Sequence, residues 1–159
     1  MSATTALLVP ATAVSARQVL AVRLARSGAW LWTAAGVYGL ALRPRFASTL
    51  PPRDQWGSEE STAHVFDLAA NGFVIVAIVA TTVWSVAFWA VTARLLRRGS
   101  GAARGLAVGT ALVTGLTAVR GVGMLFGPLD GARALAVLLP LLAVSTVALP
   151  AFLRLPRQH

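Results

Sequence analysis

The chain has 159 residues, 57% hydrophobic and 12% charged, with a mean hydropathy of +0.72 and a formal net charge of +9. Soluble domains are about 45–50% apolar and about 25% charged, and so short a chain has too little interior to hide this excess of apolar surface. A typical soluble enzyme, a disordered tail and a fibrous repeat are excluded, and the absence of cysteine removes disulfides, thiolate metal sites and thiol nucleophiles.

The segment Leu7–Ala16 is weakly apolar. Leu7–Ala16 ends in Val-Ser-Ala, which resembles a small-residue cleavage site, but no basic residue precedes it and Pro10 interrupts it. A mobile cytoplasmic tail over 1–16 is expected rather than a signal peptide. The first apolar stretch, about 22–42, contains Trp30, Trp32, Gly36, Tyr38 and Gly39. It is marginal against the roughly 20 residues a spanning helix needs, with Arg23 and Arg26 snorkelling to the surface. A loop rich in Pro, Ser and charge covers 43–66. Three clearer spans follow at about 67–93, 105–126 and 134–153. The basic segment 94–104 joins two of them as a hairpin turn, and Gly127, Pro128 and Asp130 form a shorter one. Pro140 and Pro150 are expected to kink or end the last helix. The expected fold is all-α: a four-helix integral membrane bundle in one domain, 17–159, with both termini cytoplasmic.

Orientation follows from arginine, the only basic residue besides two histidines. With four spans, nine arginines (17, 23, 26, 94, 97, 98, 104, 154 and 157) share the side of the termini. Four (43, 45, 53 and 133) fall on the other side, with all five acids: Asp54, Glu59, Glu60, Asp67 and Asp130. The positive-inside rule places the nine in the cytoplasm of a cell membrane. Attraction to anionic lipid, at about 1 kcal/mol per arginine near the surface, accounts for the net charge without nucleic acid. Arginine without lysine, with abundant alanine, suggests a GC-rich bacterial source.

The remaining arginine, Arg120, lies inside the third span, about 9 Å from its outer end at 1.5 Å per residue. A charge near the bilayer centre costs about 2.5–3.5 kcal/mol on insertion scales, so it is expected to face the bundle interior and a partner. Glu60, His64, Asp67 and Asn71 are spaced four, three and four apart, which puts them on one face of a helix that begins near Ser58 or Ser61. Asp67 and Asn71 are expected at the depth of Arg120, with Tyr38 nearby. The cluster would be catalytic through Asp67, His64 and Arg120, with Tyr38, Glu60, Asn71 and Thr117 binding ligand. A half-buried carboxylate beside an imidazole suits proton transfer on a lipophilic substrate. Neither a metal nor a cofactor is called for. Glu60, His64 and Asp67 make too weak a ligand pattern for zinc.

Thr110, Thr114, Thr117 and Gly121 form a stripe along the third span, with Thr81, Thr82 and Ser85 on the second. Helix packing is the commoner role of such residues, and of Gly105-x3-Gly109, though they would also line a polar path. The reading favours binding, and conversion by acid–base chemistry, of a lipophilic small molecule in an outward-facing pocket. A non-catalytic accessory or partner-binding subunit and a small transporter or channel component are the alternatives. Expected partners are the lipid bilayer, the lipophilic molecule and a second copy or membrane partner.

Overall fold

The computed structural model describes residues 11–43, 51–99, 102–126 and 131–155, and among these the chain is helical apart from its connections. The helices are α1 (Ala11–Leu42), α2 (Ser58–Arg98), α3 (Ala103–Phe126) and α4 (Gly131–Leu153), with a short 3-10 turn at Arg53–Gln55.

Local chemistry sets the ends of these helices. α1 stops before Arg43-Pro44, because a proline disfavours the helical region for the residue before it. The Arg43 guanidinium donates to the Leu40 carbonyl at 2.8 Å, satisfying one of the free groups of the last turn. α2 starts where Glu60 Oε2 accepts the Gly57 N–H at 2.9 Å and the Ser61 hydroxyl donates to the Gly57 carbonyl at 2.9 Å. It ends at Gly99, whose φ of 65° is the left-handed conformation that glycine adopts without steric cost. Arg97 and Arg98 in its last turn oppose the negative end of the helix dipole.

The helices pack in a ring, each against two neighbours: α1 on α2 and α4, α3 on α2 and α4. The α1–α2 seam is antiparallel. Gln18 Nε2 donates to the Leu96 carbonyl, Gly28 lies on the Trp89 ring, and Gly36 lies against Thr82. The Thr92 and Thr110 hydroxyls meet at 2.9 Å between α2 and α3, and Gly115 faces Ser145 between α3 and α4. The interior is built largely from alanines (21, 25, 93, 107, 111, 118 and 148) around Trp32, Trp89 and Phe152. Small residues let backbones approach closely, which is how helices associate in an apolar solvent.

The exterior is strongly apolar, with Trp30 75% and Phe73 73% exposed. Among the described residues, three helices are long and apolar enough to cross a membrane: Ser58–Arg98, Ala103–Gly123 and Ala134–Leu153. The antiparallel packing gathers Arg17, Arg23, Arg26, Arg94, Arg97, Arg98, Arg104 and Arg154 at one end of the ring, and Arg43, Arg53, Asp54, Glu59, Glu60 and Asp67 at the other.

Several boundaries differ from the sequence expectation. α1 begins at Ala11, so the latter part of the expected tail is helical. α2 takes in the last nine residues of the expected loop, because Gly57 and Glu60 cap it early. α4 continues through Pro140 and Pro150 to Leu153 rather than ending at either. Residues 1–10, Ser100 and Gly101 of the expected Gly-Ser-Gly hinge, the expected turn at 127–130, and Arg45, Arg157 and His159 lie outside the described residues; so does the side chain of Arg133.

Candidate functional site

A half-open cavity of about 280 Å³ lies between the helices, and all four contribute to its lining. α1 contributes Trp32, Ala35, Gly36 and Gly39; α2 contributes Phe73, Ala77, Ile78, Thr81 and Thr82. α3 adds Thr117, Ala118, Gly121 and Val122, and α4 adds Val137 and Leu141. Gly36 brings α1 hard against Thr82, whereas a Cβ at Gly121 would meet nothing within 4 Å. The space therefore lies on the α3 side of the tight α1–α2 seam. An apolar cavity of about 150 Å³ admits benzene, so this one has room for a larger molecule.

The walls are neutral and graded in polarity. Trp32, Thr81, Thr82 and Thr117 line the part nearest the arginine-rich end, and Gly39, Phe73, Val122 and Val137 line the part nearest the loop end. Thr82 Oγ1 donates to the Ile78 carbonyl at 2.7 Å and Thr117 Oγ1 to the Val113 carbonyl at 2.8 Å, so both hydroxyl protons are used within their own helices. Trp32 is 5% exposed, and its indole Nε1 has no hydrogen-bond partner among the described residues. Ser85 and Ser145, each one helical turn deeper than cavity residues Thr81 and Leu141, are also buried with unpartnered hydroxyls.

A second crevice of about 360 Å³ lies between α1 and α4, lined by Leu31, Ala34, Tyr38, Ala136 and Pro140, and shares Ala35, Val137 and Leu141 with the first. Tyr38 therefore lines a space next to the central cavity, and it is itself exposed.

The expected cluster is not assembled. Arg120 is exposed, on the outside of α3, about 200° of helix turn from buried Ala118. The residues of α3 that reach the interior are Ala103, Ala107, Thr110, Ala111, Thr114, Ala118 and Val122, an i, i+3/i+4 series that leaves position 120 outside. Its depth is also mismatched. The Thr92–Thr110 contact sets the antiparallel register of α2 and α3, so Arg120, ten residues beyond Thr110, is level with Thr82. Asp67 lies fifteen residues further along α2 and Asn71 eleven, about 22 Å and about 16 Å away along the axes.

The spacing on α2 does hold: Glu60, His64, Asp67 and Asn71 are all half-buried on the face that continues into buried Val74 and Ile78. They lie beyond Phe73, past the loop end of the cavity. Glu60 caps the helix, Asn71 Nδ2 donates to the Asp67 carbonyl at 2.8 Å, and the His64 ring packs on Trp56 with centroids 5.0 Å apart. Trp56 is held by its Nε1–H donating to the Pro51 carbonyl at 2.8 Å and by the Arg53 guanidinium 5.7 Å above its ring. Among the described residues, no group of three His, Asp or Glu side chains converges on a metal position.

Of the expected ligand-binding residues only Thr117 lines the central cavity. The threonine stripe divides there: Thr117 and Gly121 face the cavity, while Thr114 and Thr110 are sealed in the core, Thr114 donating to the Thr110 carbonyl at 2.6 Å. Gly105 and Gly109 do not serve packing within the chain, since a Cβ at either meets nothing within 4 Å. Sequence reasoning missed Trp32. Two residues from exposed Trp30 in the same apolar run, it is distinguished only by helix phase with Ala21, Ala25 and Gly28. No protein-family model, curated protein or solved structure matches the chain, so the site is read from its own geometry.

Proposed function

We propose that the chain is a multi-pass four-helix bundle of the cell membrane that binds an uncharged lipophilic small molecule in its central cavity. Its arginine-rich end and both termini would lie on the cytoplasmic side, following the positive-inside rule. The apolar exterior supports membrane residence, because contiguous apolar surface on this scale is not left to water. The observation that carries the binding function is the cavity of about 280 Å³ to which all four helices contribute and which, among the described residues, no charged side chain lines. Ligand sites are mostly apolar concavities with a few placed polar groups, often between the helices of a bundle. Binding is favoured over acid–base conversion because Arg120 faces outward and His64 and Asp67 stand beyond the cavity. It is favoured over passage because the threonine stripe closes at Thr114.

The test uses the full chain in lipid nanodiscs, with para-fluoroethylbenzene as probe and fluorine NMR as readout. Gly121→Leu places a side chain in the cavity from a position where the Cβ itself meets nothing within 4 Å. Replacing a mid-helix glycine also gains up to about 1 kcal/mol of helix propensity. The wild type is expected to bind saturably above the lipid background and Gly121→Leu to lose at least tenfold in affinity while remaining folded. Equal uptake by both proteins refutes the assignment.

The partner-binding alternative has one observation in its favour. Gly105, Gly109, Leu116, Arg120 and Gly123 share the outward face of α3, and a Cβ at any of the three glycines meets nothing within 4 Å. A helix of another subunit would fit there. A monomeric mass in nanodiscs and no co-purifying subunit would remove this reading.

A further inference from the structure

We infer that the outward face of α3 seats a membrane helix of another protein, and that this helix carries an aspartate or glutamate at the level of Arg120. This rests on the membrane placement proposed above and deepens the partner-binding reading by naming the partner's chemistry; it does not depend on the central cavity.

Gly105, Gly109, Leu112, Leu116, Arg120 and Gly123 follow at intervals of four, three, four, four and three, so they form one face of α3. That face lies opposite the buried series, and Leu112 and Leu116 on it are exposed. A Cβ at Gly105, Gly109 or Gly123 meets nothing within 4 Å, so nothing else in the described chain fills the space beside these glycines. Small residues on a membrane helix let a second backbone come close. They say where a helix fits, and Arg120 says which kind.

Arg120 is level with Thr82 and, through the Gly36–Thr82 contact, with Gly36. On α1 the next charge toward the loop end is Arg43, seven residues beyond Gly36 or about 10 Å. Toward the other end, Arg26 on α1 and Arg94 on α2 stand ten and twelve residues away, about 15 and about 18 Å. Arg120 therefore lies well inside the layer that these rims enclose, on its lipid side. An ionised side chain there is costly and is almost always turned to a partner. Among the described residues Arg120 has no hydrogen bond or ion pair.

The counter-charge does not come from this chain. The described acids, Asp54, Glu59, Glu60 and Asp67, all belong to the loop end, and the nearest, Asp67, is about 22 Å from the level of Arg120. A second copy with the same orientation in the bilayer keeps the same levels, so it brings none of these acids closer. Pairing α3 with its own counterpart would set two guanidinium groups side by side. Lipid phosphates sit at the rim, beyond Arg43's level, whereas a helix seated on the glycines meets the guanidinium where it stands. A carboxylate on that helix takes charge-assisted, bidentate hydrogen bonds from arginine and leaves neither ion unpaired in lipid.

The test uses two synthetic transmembrane peptides of about 20 alanine and leucine residues. One has glutamate at its central position and the other glutamine, and both carry a fluorescence acceptor. The full chain, which has no cysteine of its own, takes the donor on a cysteine placed at exposed Ala102, and energy transfer is followed in phosphatidylcholine vesicles. The wild type is expected to associate with the glutamate peptide at least about fivefold more tightly than with the glutamine peptide. Arg120→Leu is expected to bring the two within twofold of each other. Gly123→Leu, whose Cβ touches nothing in the described chain, is expected to weaken the glutamate peptide at least threefold while the bundle stays folded. Equal association of both peptides, still weakened by Gly123→Leu, overturns the inference but leaves α3 as a docking face. A preference for glutamate that survives Arg120→Leu assigns the carboxylate to another arginine and also overturns it. If neither peptide associates, the partner-binding reading fails too, and lipid phosphate is left to serve the guanidinium. A chain stripped from the vesicles by an alkaline wash refutes the membrane placement itself.

Discussion

Gly28→Ala isolates how tightly α1 is seated on α2. A Cβ built at Gly28 would stand 2.4 Å from Trp89 Cδ2 and 2.6 Å from Cε3, where ordinary contact begins at 3.4 Å. The deficit is about 1 Å, and the ring has nowhere to go: Trp89 is fully buried and packs on Phe152 with centroids 6.2 Å apart. The helices must separate locally, which costs about 1–3 kcal/mol by analogy with overpacked cores. Against this stands the gain of up to about 1 kcal/mol that alanine brings to any helix interior. The comparison variant is Gly72→Ala on exposed backbone of α2, where a Cβ meets nothing within 4 Å and only the gain applies. Thermal unfolding of the two variants in one detergent, followed by circular dichroism, should place Gly28→Ala below Gly72→Ala by about 1–3 kcal/mol. If Gly28→Ala is as stable as Gly72→Ala, the close α1–α2 approach is wrong. The cavity floor, which depends on the same seam, would then need a different register.

The same packing predicts three further outcomes. A double-mutant cycle of Arg120→Leu with Asp67→Asn should show coupling no larger than the roughly 0.3–0.5 kcal/mol scatter of independent sites; a coupling above about 1 kcal/mol would mean the two side chains meet after all. A cycle of Thr92→Val with Thr110→Val should show a favourable coupling of about 0.6 kcal/mol, typical of hydroxyl contacts between membrane helices. A null value would show that the contact at 2.9 Å contributes nothing to α2–α3 association. Glu60→Ala should cost about 0.5–1 kcal/mol by removing the acceptor of the Gly57 N–H, and should speed amide hydrogen exchange in residues 58–61 without affecting probe binding. Exchange no faster than in the wild type would mean the cap is held by other contacts.

Composition and spacing by themselves determined that this chain is helical and where its apolar stretches lie, because long apolar runs separated by Gly, Pro and Arg leave the backbone few alternatives. They also placed Glu60, His64, Asp67 and Asn71 on one face of α2, since residues three and four apart share a face whatever surrounds the helix. What they could not settle was the phase and the axial offset of one helix against another. The expected Arg120 cluster assumed that a charge in an apolar stretch turns inward and that Asp67 is level with it. Phase is set by the whole series from Thr110 to Val122, and the offset by contacts such as Gly36 on Thr82 and Thr92 on Thr110. Both are properties of surfaces fitting together. Only the tertiary structure decided that Arg120 faces out, that Trp32 rather than Trp30 faces in, and that residues from all four helices come together around a cavity. Periodicity is written along a single helix, but a cavity exists only where four of them fail to fill the space between them.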